Sequence, residues 1–241
     1  MSSENKVNKN GKKFKKFVLY GMGMLALILL IAHFIWMDAG SNEWKLVKDE
    51  NGIKIWTIKT PGNKLLKTKA NFQIQSTLGG IIKLIEDTTS WADLGMDKNK
   101  IVIMDTIHTP GYYSGYMGYK QEMPFPLKDR EIITLMQRFQ NPVTKTIEIN
   151  VLAAPNKLPP SKDFVRIEHM HNSYTFTPVA DGIVEIDFNN EFDLGGSIPY
   201  FIKNLGASSL LYTMMFDLKN KMSMDKYKNA KLDYIKEYDE N

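Results

Sequence analysis

From Gly52 to Asp193 apolar and polar residues alternate in short runs, the period-two pattern of strands with one face in a core. Strands are expected at 52–59, 65–74, 100–108, 112–123, 131–140, 145–153, 164–177 and 183–193, with turn chemistry such as PGN, TPG, NP, NKLPPSK and DG between them. One short helix interrupts them, STLGGIIKLIED, with Ser76 or Thr77 as its cap. After Gly196 the period changes. Ile198, Phe201, Ile202, Leu205, Leu211, Met214, Met215, Leu218 and Met222 recur at three- and four-residue steps and predict one long amphipathic helix. The polar stretch from Lys226 continues it and is expected to fray. The pattern as a whole predicts an α+β domain, an antiparallel sheet closed by one terminal helix.

The strand at 183–193 carries the sharpest pattern. Val184, Ile186, Phe188, Asn190 and Phe192 share one face, while Glu185, Asp187, Asn189, Glu191 and Asp193 share the other. A buried amide without a partner costs about 1–3 kcal/mol, so Asn190 on the apolar face must be satisfied. Two readings stand: a partner on the neighbouring strand or an ordered water, or a polar contact for a bound head group.

Residues 17–37, FVLYGMGMLALILLIAHFIWM, hold no formally charged side chain. As a helix they span roughly 30 Å, the thickness of a bilayer's hydrocarbon core. The span is long for a signal peptide, and Asp38 spoils the small-residue cleavage site. It is read as an uncleaved signal anchor, with a cleaved signal as the alternative. Six lysines precede it against Glu4 alone, which places the N-terminus in the cytoplasm and the main domain outside. Trp36 suits an interfacial anchor, and His33, one turn from the exit, is read as reaching the interface. The 28-to-3 ratio of lysine to arginine points to a bacterial source and hence to the cytoplasmic membrane. The expected divisions are 1–16 basic tail, 17–37 span, 38–51 linker, 52–227 main domain and 228–241 polar tail.

The net charge of +4 changes little once the first 16 residues, at +5, are set aside, because the rest sums to −1. Nucleic-acid binding gains no support. With no cysteine there is no disulfide, thiol nucleophile or thiolate metal site. His169 and His171 lie two apart but lack a third ligand at convincing spacing, and Ser208 and Ser209 have no matching histidine. GYYSGYMGY alternates like a strand and does not form a phosphate loop. No metal or cofactor is expected.

The stretch YKQEMPFPLKDREI resembles the strand–turn–strand signature of START lipid-transfer domains, with Pro124, Phe125, Pro126, Arg130 and Glu131 at its matching positions. FVRIEHMHNSYTFTPV resembles the family's strand that ends in a proline, here Pro178. DLGGSIPYFIKNL is similar to its approach to the terminal helix, with Gly196 and Pro199 in place and Leu194 where a proline is usual. TTSWADL, with Trp91, resembles the loop after the first internal helix. Together these stretches cover about 43–224. The resemblance implies a helix-grip fold, a curved antiparallel sheet wrapped on a long C-terminal helix around a tunnel for one lipid. It makes Pro124 and Pro126 turn-setters and Arg130 a structural residue paired with a carboxylate or turn carbonyls. Sterol-type members place a charged pair where Met117 and Met136 stand here; two methionines make an apolar, adaptable wall, and they equally fit plain core filling.

The function expected from this resemblance is membrane-tethered binding and transfer of a single lipid, gated by the terminal helix. Trp91, Met117, Met136, Phe188, Asn190, Phe192, Phe201, Met214 and Met215 are the expected lipid contacts. A lipid sensor, or an enzyme acting on a hydrophobic substrate in the same cavity, are the alternatives. The expected partners are the lipid and the chain's own bilayer, with a further lipid carrier unidentified. A tether of about 14 residues between Met37 and the first strand would reach roughly 50 Å.

Overall fold

The computed structural model describes residues 2–90, 101–180 and 182–238. A 37-residue helix, α1 (Ser2–Asp38), leads into β1 (Lys45–Glu50), β2 (Ile53–Lys59) and β3 (Leu66–Gln75). The expected short helix is α2 (Leu78–Glu86), N-capped by Thr77, whose hydroxyl accepts from the Gly80 N–H. Then come β4 (Val102–Thr109), β5 (Tyr112–Gln121), β6 (Arg130–Gln140), β7 (Ile147–Ala153), the two-residue β8 (Val165–Arg166), β9 (Met170–Ala180) and β10 (Ile183–Phe192). Three helices follow, α3 (Tyr200–Lys203), α4 (Ala207–Met222) and α5 (Asp225–Lys228).

The strands form one sheet in the order β1-β2-β3-β10-β9-β7-β6-β5-β4, antiparallel throughout, with β8 added parallel to β6. Helix α4 lies across β1, β2 and β3. Its Leu211, Met215 and Met222 are buried in one cluster with Ile55, Phe72, Phe176, Ile186 and Phe188. A second, smaller cluster gathers Tyr119, Ile132 and Ile167.

Three expectations need correction. Residues 45–50 lie in the segment read as linker, yet they form the edge strand β1, paired from Lys45↔Thr57 to Glu50↔Ile53. Its alternation is masked because an edge strand keeps polar residues on both faces. The single long terminal helix is two, broken where Gly206 takes φ +79°, a left-handed conformation that a side chain disfavours. The polar tail packs down instead of fraying. Tyr227 and Ile235 are buried, Glu237 accepts from the Leu78 and Gly79 N–H groups at 2.8 Å, and the Lys236 N–H donates to Gln140 at 2.9 Å. A carboxylate at the start of α2 satisfies two otherwise orphaned donors, which the tail's own composition does not reveal.

Helix α1 is also not loosely tethered. Leu29, Ala32, His33, Trp36 and Met37 are partly shielded at three- and four-residue steps, so one face of the helix is covered. The His33 ring lies 5.6 Å from that of Tyr200 on α3, and the Trp36 indole donates to the Lys64 carbonyl. Lys59 is buried and donates to the carbonyls of Met37, Ala39 and Thr60, a cation set against the helix's C-terminal end.

Candidate functional site

Residues directly opposite in an antiparallel pair share a face. The register therefore assembles a row across the concave face: Thr57, Thr68, Asn190, Asn172, Val151, Met136 and Gly115. Asn190, Asn172, Val151 and Met136 are only half-buried, although the rows on one side are sealed in the main core. Met117 stands opposite Thr134, one step along the strands, and packs with Phe192 and Met170 against the second cluster. The half-buried band thus runs between two fully buried clusters, beyond the strands that α4 covers.

Asn190 is satisfied from its neighbours. Its Nδ2 donates to Asn172 Oδ1 at 2.6 Å, and its Oδ1 accepts from the Thr68 hydroxyl at 3.5 Å. The neighbouring-strand partner is therefore present. Because Asn172 shares the row, the polar patch is an amide pair and not a single side chain. Sequence reasoning missed Asn172, which lies in the alternating run 164–177 and could have been found by aligning that strand against 183–193 in antiparallel register.

Of the other expected contacts, Phe188 and Met215 lie in the buried core, 1% and 2% exposed, with Phe188 in the adjacent sealed row of the same face. Met214 is partly buried against the same cluster, and Phe201 is half-buried on α3. Trp91 lies outside the described residues. Tyr174, whose ring is tilted against that of Phe188 with centroids 4.3 Å apart, has its phenol pushed up to about 12 by burial.

Arg130 is 1% exposed and hydrogen-bonds turn carbonyls: its Nε donates to Leu194 at 2.7 Å, and its guanidinium also reaches the Lys128 carbonyl. Gly195 and Gly196, both with positive φ, fold over it, and a side chain's first carbon on Gly196 would sit 3.5 Å from Nη2. Pro199 opens α3, and its carbonyl accepts from the Ile202 and Lys203 N–H groups. Pro124 and Pro126 form the β5–β6 turn with a cis Phe125–Pro126 peptide, and Asp129 accepts from the Met123 N–H at 2.9 Å.

A second polar cluster lies on the concave face toward the opposite end. Arg138, 2% exposed, pairs with Glu86 at the end of α2 and sits between the rings of Tyr113 and Tyr234. The Tyr234 hydroxyl donates to Glu86 at 2.6 Å, and desolvation together with that carboxylate pushes the phenol up to about 12. A groove of about 590 Å³ opens beside it, between Gly111, Phe139, Pro142 and Tyr234. His169 pairs with Glu191, which also binds Lys67, and His171 stands exposed on β9. Among the described residues no three His, Asp or Glu side chains converge as a metal site would need.

No family model matches the chain. It is 24% identical over 187 residues to an uncharacterized protein of Pseudomonas aeruginosa, covering 76% of this chain and 89% of that one. It is 24% identical over 172 residues to START domain-containing protein 10 of Mus musculus and of Homo sapiens, covering 69% of this chain and 57% of theirs. The chain thus spans little more than half the length of those two relatives. Among solved structures it superposes on the STAR-related lipid transfer protein from Xanthomonas axonopodis with TM-score 0.64 and 21% identity, over 75% of this chain and 99% of that fragment. On human STARD10 the TM-score is 0.62 at 20% identity, over 77% of this chain and 75% of that one. The chain has the START-type helix-grip fold, preceded by a helix whose residues 13–38 are long and apolar enough to cross a bilayer.

Proposed function

We propose that this chain is a membrane-tethered lipid carrier, which takes one hydrophobic lipid between the concave face of its sheet and α4 and hands it on unchanged. The lipid class is a phospholipid, a sterol or a similar molecule. The observation that carries the reading is the half-buried row from Met136 to Asn190. Protein cores close-pack, so a band of Met136, Val151 and the Asn172–Asn190 amide pair left half-covered between two sealed clusters is a wall that lacks a neighbour. A sixteen-carbon chain leaving a bilayer needs on the order of 13 kcal/mol of compensation, at about 0.8 kcal/mol per methylene, and an enclosed apolar wall supplies it. The names of the Xanthomonas, mouse and human proteins support the same class of ligand.

In this reading Met117, Met136, Phe192, Phe201 and Met214 contact the apolar body of the lipid. The Asn172–Asn190 pair meets its polar end, and Phe188 and Met215 belong to the sealed core that bounds the band on one side. Helix α1 is the uncleaved anchor of a bacterial cytoplasmic-membrane protein whose domain lies outside; the lysine-rich start supports that orientation. Helix α3 and the first turns of α4 move about Gly206 as the gate, since α5 and the tail tie the far end of α4 to α2. The test is native mass spectrometry of the full chain, delipidated in detergent and incubated with a mixed membrane-lipid extract. One lipid per chain, unchanged in mass and lost in Met136→Trp, is the expected result. A chemically altered lipid would favour the enzyme reading, and a chain that refuses every lipid would reject the cavity.

A sensor using the same cavity is the second reading, favoured by the docking of α1 on α3: movement of the gate would bear directly on the membrane helix. It differs from a carrier in that the lipid stays.

A further inference from the structure

The half-buried row on the concave face does not turn apolar at its β5 end. Gly115 stands opposite Met136 there, and the place of its missing side chain is taken from its own strand. The Tyr113 hydroxyl lies 2.6 Å from the point that a first side-chain carbon on Gly115 would occupy. Tyr113 and Gly115 share a face of β5, so the ring leans along the strand and brings its oxygen into line with Met136 and Val151. The ring is half-buried, and among the described residues its hydroxyl has no hydrogen-bond partner. Desolvation and the nearby Glu86 carboxylate push that phenol up, so it remains a donor at neutral pH.

A second unpaired donor stands beside it. Arg138 Cζ lies 5.6 Å from the centre of the Tyr113 ring, on the same face of β6 as Met136 and two residues on. Its Nη1 pairs with Glu86, and its Nη2 faces His108 Nε2 at 3.4 Å. Its Nε is buried without an acceptor, the only such side-chain atom among the described residues. Buried donors are nearly always paired, so this one calls for a partner. The band thus has a polar group at each end. At the far end Asn172 uses only its oxygen toward Asn190, and among the described residues its Nδ2 is left free to donate. Val151 and Met136 lie between the two ends. A plain acyl chain laid along the band would press its methyl end against two unpaired donors. Glu86 already balances the guanidinium, so a second carboxylate would be repelled there and an uncharged oxygen would not.

We propose that the Tyr113 hydroxyl and Arg138 Nε form a second polar subsite, which takes an uncharged oxygen function, a hydroxyl or a carbonyl, at the far end of the ligand. The ligand is then an elongated apolar molecule with a polar group at each end. From β9 to β5 is three inter-strand steps, which sets those two groups about 14 Å apart. The proposal rests on the carrier reading and deepens it by naming the class of molecule carried.

A matched pair of probes tests it: dodecanol, and the dodecanediol with a hydroxyl at each end. Both are offered in equal amounts to the full chain, delipidated in detergent, and read by native mass spectrometry. The quantity compared is the ratio of bound diol to bound alkanol in the unaltered chain and in Tyr113→Phe; partition into detergent cancels between the two. That ratio is expected to fall about tenfold in Tyr113→Phe, the effect of one hydrogen bond to a buried group. The thermal midpoint should not move, because the hydroxyl holds nothing in the fold. Gly115→Ser added to Tyr113→Phe returns a hydroxyl to the same place and should restore part of the ratio. If both probes bind and the ratio is the same in the two chains, the subsite is overturned and the cavity stands. If neither probe binds, the cavity reading falls and the proposal with it.

Discussion

The Lys203 ammonium lies 2.8 Å from Asp193 Oδ1, with the lysine side chain only 4% exposed. Asp193 ends the last strand and also accepts from the Gly195 N–H, so one carboxylate holds both the glycine turn and the only cation that α3 turns inward. Removing it strands a buried ammonium. A charge-assisted hydrogen bond contributes about 1.5–3 kcal/mol. For Asp193→Asn, exchange protection of the amides at 202–204 should fall about 30-fold, by the usual tenfold per 1.4 kcal/mol, while protection in β3 and β10 stays unchanged. Equal loss in the sheet would mean that the pair stabilises the whole domain and not the gate.

The same carboxylates set an acid limit. Desolvation acts to raise Asp193 and Glu191, but Lys203 and the Gly195 N–H at the first, and Lys67 and His169 at the second, outweigh it and hold both below the usual carboxylate range. A depressed folded value means stability that is present above the unfolded pKa, near 4, and lost as pH falls through the folded value. The attachment of α3 should therefore be constant from pH 7 to about 5 and weaken progressively below 4. Protease nicking at 202–206 across that range reads it, and Asp193→Asn should flatten the acid limb.

The Arg138–Glu86–Tyr234 cluster separates a structural charge from a ligand-binding one. Breaking a buried ion pair by removing one partner costs about 3–5 kcal/mol. Arg138→Met should lower the thermal midpoint far more than Tyr234→Phe, which removes one hydrogen bond worth about 1 kcal/mol. If Arg138→Met leaves the midpoint untouched, the guanidinium is not holding α2 to the sheet.

The wall and the sealed core beside it should respond differently to truncation. Phe188→Ala opens a sealed core and is expected to cost about 3–5 kcal/mol in chemical denaturation. Met136→Leu conserves volume at a half-covered position and should cost under about 1.5 kcal/mol. Met136→Trp should abolish lipid uptake while the fold persists, as circular dichroism would record.

A cross-link tests the gate. The Leu66 N–H donates to Asn204 Oδ1 at 3.0 Å, which brings the end of α3 against β3. Leu66→Cys with Asn204→Cys, oxidised, should block lipid exchange, and reduction should restore it. Undiminished exchange in the oxidised chain rules the gate out.

Eight strands and α2 were legible because each presents a regular apolar face to one core, and that periodicity is written locally. What escaped was fixed by partners distant in sequence. Edge strand β1 has little apolar alternation, the helix break at Gly206 depends on one backbone angle within a continuous apolar stripe, and the tail is held by Glu237 and Tyr227 against α2. The row on the concave face was half visible. Asn190 stood out against its apolar neighbours, whereas Asn172 acquires meaning only from the β9–β10 register. Arg138 was overlooked because its partner, Glu86, lies 52 residues away on another element.

The docking of α1 on α3 joins residues 33 and 200, and the tail joins 78 to 237. A ribosome delivers these partners far apart in time. Helix α1 is finished first, then waits for more than 160 residues before the surface that receives it exists. The domain therefore cannot close while it is being made, and in the proposed anchored reading its strands emerge with their concave face open beside a membrane. On the proposed function, a chain that folds late and next to lipid can enclose its first ligand as it completes itself.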